Sequence, residues 1–95
     1  MMRSHRVPAH PGEILDEEFL RPMGISQVRL AQHLGIPVQR INEIVNGKRG
    51  ITPETAWLLS QAFGTWPELW VNLQTAHDLA ASRPTHGIRR IKRAG

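Results

Sequence analysis

Between Gln27 and Arg49 the chain gathers side chains suited to nucleic acid: the amides Gln27, Gln39, Asn42 and Asn46 and the cations Arg40, Lys48 and Arg49. An amide holds a donor and an acceptor in one plane and matches the N6/N7 edge of adenine. A guanidinium matches guanine in the same bidentate way, and any exposed cation suits phosphate. Gln39 and Asn42 are therefore expected to read bases. Arg40 reaches guanine or falls on the backbone, Asn46 projects toward the groove or its wall, and Lys48 and Arg49 lie beside the reading face. Gln27, in the preceding segment, positions a phosphate.

Other chemistry is poorly provided for. The absence of cysteine removes disulfides, thiolate metal sites and thiol nucleophiles together. None of the histidines, His5, His10, His33, His77 and His86, is paired at the three- or four-residue spacing that puts two ligands on one helix face. His33 and His77 read as solvent-side or partly packed helix residues. Glu17 and Glu18 are adjacent, so they diverge around a helix and make no general acid/base pair. With no glycine-rich phosphate loop or nucleophile elbow either, the expectation is a binding protein with no metal and no cofactor, and not an enzyme.

The nucleic-acid side chains need a scaffold, and Ser26 to Gly47 encodes one. Val28, Leu30, Ala31 and Leu34 form one apolar stripe, and Ile41, Ile44 and Val45 form a second after Gly35-Ile36-Pro37. Ser26 is placed to cap the first helix, Gly35 to take a left-handed turn, and Pro37 to fit the first turn of the second helix. Ala31 lies where two axes must approach closely. This is helix-turn-helix spacing. A plain helical hairpin has the same apolar pattern; the amides and cations outside the stripe favour DNA reading instead.

Around this pair the chain predicts three more helices. Residues 1–9 read as a flexible lead-in. His10-Pro11-Gly12-Glu13 opens a helix with Ile14, Leu15 and Phe19 on its buried side, ending near Leu20 or Arg21 because Pro22 disfavours helical geometry before it. Gly47 to Ile51 follows the second motif helix as a flexible basic loop. Thr52-Pro53-Glu54 begins a fourth helix, carrying Ala56, Leu59, Ala62 and Phe63, that stops at Gly64. A fifth starts at Thr65-Trp66-Pro67-Glu68, with Thr65 as cap or Trp66 intervening. Its stripe is Leu69, Trp70, Leu73, Ala76 and Ala80. Residues 10–83 thus make one all-α domain, and 84–95 a basic tail, read as disordered, with a short strand that orders on a partner as the lesser alternative.

Composition agrees with that plan. A chain of 95 residues supports one modest core, and 40% hydrophobic residues with no Tyr suits helices better than sheets. No stretch resembles a signal peptide or a membrane span, so a soluble cytoplasmic protein is expected. Charge is segregated: residues 1–22 carry −1, residues 23–52 carry +3, residues 53–82 carry −3 through Glu54, Glu68 and Asp78, and residues 83–95 carry +5. Trp57, Trp66 and Trp70 all fall in or beside the acidic part. Trp70 reads as core, whereas Trp57, Trp66 and Leu69 are candidates for a homodimer interface. Pairing would suit DNA, because dimers present two reading heads to half-sites ~34–36 Å apart.

The stretch GISQVRLAQHLGIPVQRINEIVNGKRGIT resembles the helix-turn-helix core of lambda-repressor-like regulators. With HPGEIL before it and ETAWLLSQAFGTWPELWVNLQ after it, the resemblance narrows to HigA-type antitoxins, over about His10 to Asp78. It implies a five-helix DNA-binding domain that represses its own operon on double-stranded operator DNA. It also implies a partner, a small basic toxin that cleaves mRNA on the ribosome. Val38 stands where regulators of the wider group often carry Gln and offers no amide there. The alternatives are a free-standing repressor without a toxin and, from another class, an adaptor that uses the fold only to bind protein.

Overall fold

The computed structural model describes residues 8–94, and among them the chain forms five helices and no strand. Helix α1 is continuous over residues 11–23 but changes pitch, from an α-turn at Pro11–Ile14 through a π-helical stretch at Leu15–Leu20 to a last turn at Arg21–Met23. The motif helices are α2, Gln27–Leu34, and α3, Val38–Val45. Helices α4, Pro53–Phe63, and α5, Pro67–Ala81, complete the domain. The lead-in proposed for residues 1–9 lies mostly outside the described residues; Pro8 and Ala9 precede α1 without regular structure.

Pro22 does not end α1, contrary to the expectation from sequence. A proline in a helix lacks one N–H and pushes on the carbonyl one turn back. Here the preceding turns are wide, with the Arg21 N–H bonding the Asp16 carbonyl five residues earlier, so the ladder already has the slack that proline demands. The helix closes one turn later at Gly24, and the Ile25 N–H returns to the Leu20 carbonyl at 2.9 Å.

The caps are mostly those the local sequence encodes. Ser26 Oγ accepts from the Arg29 N–H at 3.0 Å, and Thr52 Oγ1 accepts from the Thr55 N–H at 3.3 Å. Gly35 turns the chain with φ 73°, a conformation that only glycine adopts without strain. Pro37 is the cap residue of α3, and the helix begins after it at Val38. Before α5, Trp66 occupies the cap position, leaving Thr65 Oγ1 to accept the indole N–H of Trp70 at 2.9 Å. That bond lets a whole tryptophan be buried without a stranded donor.

Trp70 sits at the centre of the core with Leu15, Leu20, Leu30, Ala31, Ile41, Ile44, Ile51, Ala56 and Leu59. The Phe19 ring joins α1 to α4 through Phe63 at 4.8 Å and to α5 through Trp70 at 5.3 Å. Two expected core positions fail. Val28 is 53% exposed, because α2 is only eight residues long and Leu30 and Ala31 already fill its contact with the core. Ala76 is exposed as well, since on that turn of α5 it is His77 that faces the start of α1.

Candidate nucleic-acid interface

Two long-range contacts hold α3 in place. Gly12, in the first turn of α1, lies against the backbone of Ile44 and Val45, so close that a Cβ there would collide with the Ile44 carbonyl. From the other side, Ile41 and Ile44 are wholly buried beneath the helix. The first turn of α1 is itself fixed by His10, whose Nδ1 accepts from the Gly12 N–H at 2.9 Å. The His10 ring meets His77 of α5 edge-on, centroids 5.1 Å apart, and His77 Nδ1 donates to the Pro8 carbonyl at 2.8 Å. Burial, and then the neighbouring His77, hold the His10 pKa below its ordinary value, with Asp78 and Glu13 opposing them.

A row of joined amides runs from the first residue of α2 across the outward face of α3. Asn42 Nδ2 donates to Gln27 Oε1 at 3.2 Å, and Asn46 Nδ2 donates to Asn42 Oδ1 at 3.2 Å. Each end of the Asn42 amide thereby makes one bond within the protein and retains capacity for another. Gln27, expected to position a phosphate, is also bonded to the Asn42 side chain. Gln39 and Val38 are exposed on the same helix, with Gln39 bordering a shallow groove beside Arg40, Glu43 and Arg49.

The cations lie to the sides of this row. Arg40, half-buried, points toward α4, with Nη1 3.4 Å from Glu54 Oε1. Arg49 Nε is 2.8 Å from Glu43 Oε1, and Lys48 is exposed. Such surface pairs contribute about 0–1 kcal/mol, so a phosphate can draw either arginine away at little loss. The loop bearing Lys48 and Arg49 is tied down rather than flexible. Both of their N–H groups return to the Glu43 carbonyl, at 2.8 and 3.2 Å, and the Ile51 N–H donates to Gln74 Oε1 at 2.7 Å. Gln74 Nε2 is held in turn by Asp78 Oδ1 at 2.9 Å.

A second surface lies over α4 and α5. Trp57 and Trp66 are 57% and 63% exposed, and Trp57 lines a shallow groove with Pro53, Ala56, Pro67, Glu68 and Val71. Leu69 is only partly available, being packed against the core. Sequence reasoning does not find Gly12, His10, Glu43, Glu54 and Gln74 as supports of the reading unit. Their partners lie far away in the chain or arise from the fold, and the one local signal is the Pro11-Gly12 pair at a helix start.

The helix-turn-helix family (HTH_3) matches residues 17–70. Virulence-associated protein I of Dichelobacter nodosus is 53% identical over 76 residues, spanning 79% of this chain and 70% of that protein. Among solved structures, the Pseudomonas aeruginosa antitoxin HigA with the higBA promoter is 41% identical at a TM-score of 0.77, covering 79% of this chain and 82% of that one. The antitoxin GraA in complex with its operator is 36% identical at a TM-score of 0.84, covering 98% of this chain and all of the other.

Proposed function

The chain belongs to the helix-turn-helix family, in its branch of HigA-type antitoxins, and from that membership we propose that it binds the operator of its own operon. Binding there represses transcription, and the same protein neutralises a small basic toxin that cleaves mRNA on the ribosome. The observation that carries the DNA part is the amide row Gln27-Asn42-Asn46, which runs from the start of α2 across the outer face of α3, the helix held by Gly12, flanked by Lys48 and by weakly paired arginines. A side chain that is already oriented loses less entropy when it meets a base edge. Two relatives whose structures contain a promoter or an operator support the choice of target. For the toxin, the support is the antitoxin branch itself.

In this reading Asn42 and Gln39 contact bases, Gln27 and Asn46 hold Asn42 at the groove, and Lys48, Arg49 and Arg40 contact phosphate. A bidentate amide–adenine pair is worth about 1–3 kcal/mol of discrimination, whereas a phosphate contact carries no sequence information. Asn42→Ala should erase the preference for the operator over a scrambled duplex. Lys48→Ala should weaken both alike and lower the slope of log K against log salt by about 0.9. Titrations of the two variants against both duplexes at several salt concentrations test this; full preference retained by Asn42→Ala and abolished by Lys48→Ala would reverse the roles. Co-expression with the neighbouring reading frame tests the antitoxin part. A neighbour toxic alone, and still toxic beside this protein without forming a complex, would remove it.

A further inference from the structure

We infer that the C-terminal segment, residues 83–94, is a second DNA-binding element: an arm that engages the phosphates flanking those reached by Lys48 and Arg49, without reading sequence. The inference rests on the operator-binding reading above. The arm holds Arg83, Arg89, Arg90, Lys92 and Arg93 and no acidic residue. Residues 84–94 form neither helix nor strand, and all are exposed. Ile88 and Ile91 are 96% and 91% exposed, so neither residue finds an apolar seat on the domain. An acidic protein surface would be one destination for such charge, but the acidic groups of residues 53–82 lie on the same chain and the arm does not fold onto them.

The arm's point of departure favours DNA. His77 of α5 touches His10, with ring centroids 5.1 Å apart, and His10 Cγ lies 3.9 Å from where a Cβ would stand on Gly47. Gly47 is the residue between Asn46 and Lys48, so the His10 ring stands between the His77 turn of α5 and the turn that follows the reading helix. Helix α5 ends at Ala81, about 6 Å beyond His77 at helical rise, and Arg83 follows outside the helix. Pro84 disfavours helical geometry at Arg83, and the residues beyond Ala81 span up to about 3.3 Å each when extended. That reach brings four cations along a duplex carrying one charge per ~1.7 Å of axis. Counterion release requires no folded structure in the arm, which suits a segment too polar to order by itself.

The test compares the full chain with the variant Arg89→Gln/Arg90→Gln/Lys92→Gln/Arg93→Gln, using a duplex from upstream of the protein's own reading frame and a scrambled duplex of equal length. Thermal melting of both proteins accompanies the titrations. The expected result is weaker binding to both duplexes by tenfold or more at moderate salt. The slope of log K against log salt should fall by about 0.9 for each phosphate that the variant no longer neutralises, with the operator preference and the melting temperature unchanged. Unchanged affinity and slope would overturn the arm while leaving the operator reading intact, as would tighter binding by the variant or a weakening confined to the operator. If the unmodified chain shows no preference for the upstream duplex, the operator reading itself fails, whatever the arm does.

Discussion

His10 caps the first turn of α1 only while its ring is neutral. As a neutral ring it accepts the Gly12 N–H through Nδ1, and as a cation it cannot. Its pKa in the folded protein lies below the ordinary 6.5, chiefly through burial and then through His77. The unfolded chain therefore binds the proton more readily, and the stabilisation is complete above pH 6.5 and is lost as pH falls through 6.5 toward the folded value. Melting temperature should accordingly decline on the acid side of neutrality more steeply in the wild type than in His10→Asn. Asparagine keeps an acceptor at the helix cap and does not titrate there. Equal slopes for the two proteins would show that His10 is not the group responsible.

Two residues farther on, Gly12 bears on the reading helix through bare backbone. Alanine there would set a Cβ against the Ile44 carbonyl, which is main chain and cannot rotate aside. Helix α1 or α3 must then move. We expect Gly12→Ala to destabilise the fold by about 2–4 kcal/mol, in the range of severe overpacking, even though Ala is the better helix former. Chemical denaturation measures this, and a variant as stable as the wild type would mean that the packing there is loose.

At the scale of elements, what is legible in sequence is whatever a helix decides within its own few residues. The caps Ser26 and Thr52 and the turn at Gly35 depend on neighbours within about one turn. Pro22 misleads because the sequence shows the missing N–H but not the wide turns that accommodate it. The basic loop misleads for a different reason. Its anchor is Gln74, which donates to Asp78 four residues along α5 and accepts from Ile51 across a separation of 23 residues. Nothing local distinguishes that glutamine from a solvated one. Gln74→Ala should leave the Ile51 N–H without its partner and cost about 1–3 kcal/mol. It should also raise amide exchange in residues 48–51 specifically; uniform protection across the loop would show that the Glu43 carbonyl bonds suffice.

Across the whole molecule, charge and apolar surface are divided between two faces with different tasks. The reading unit, residues 23–52, carries +3, whereas residues 53–82 carry −3 and present Trp57 and Trp66 to solvent. Two tryptophans, each able to bury about 150–250 Å², are a large apolar exposure for so small a domain. Pairing of two copies through this face would cover them and give the assembly two reading heads. Trp66→Ala should weaken self-association at least tenfold, in keeping with the weight that a central tryptophan carries in interfaces. Glu68 borders the Trp57 groove, so like charges approach each other when two such faces meet, and added salt should strengthen the dimer even as it weakens DNA binding. Sedimentation at micromolar concentration over a salt series separates these effects. A monomer at every salt concentration, with and without DNA, would sink the dimer, and a dimer that salt dissociates would place its contacts away from the acidic tryptophan face.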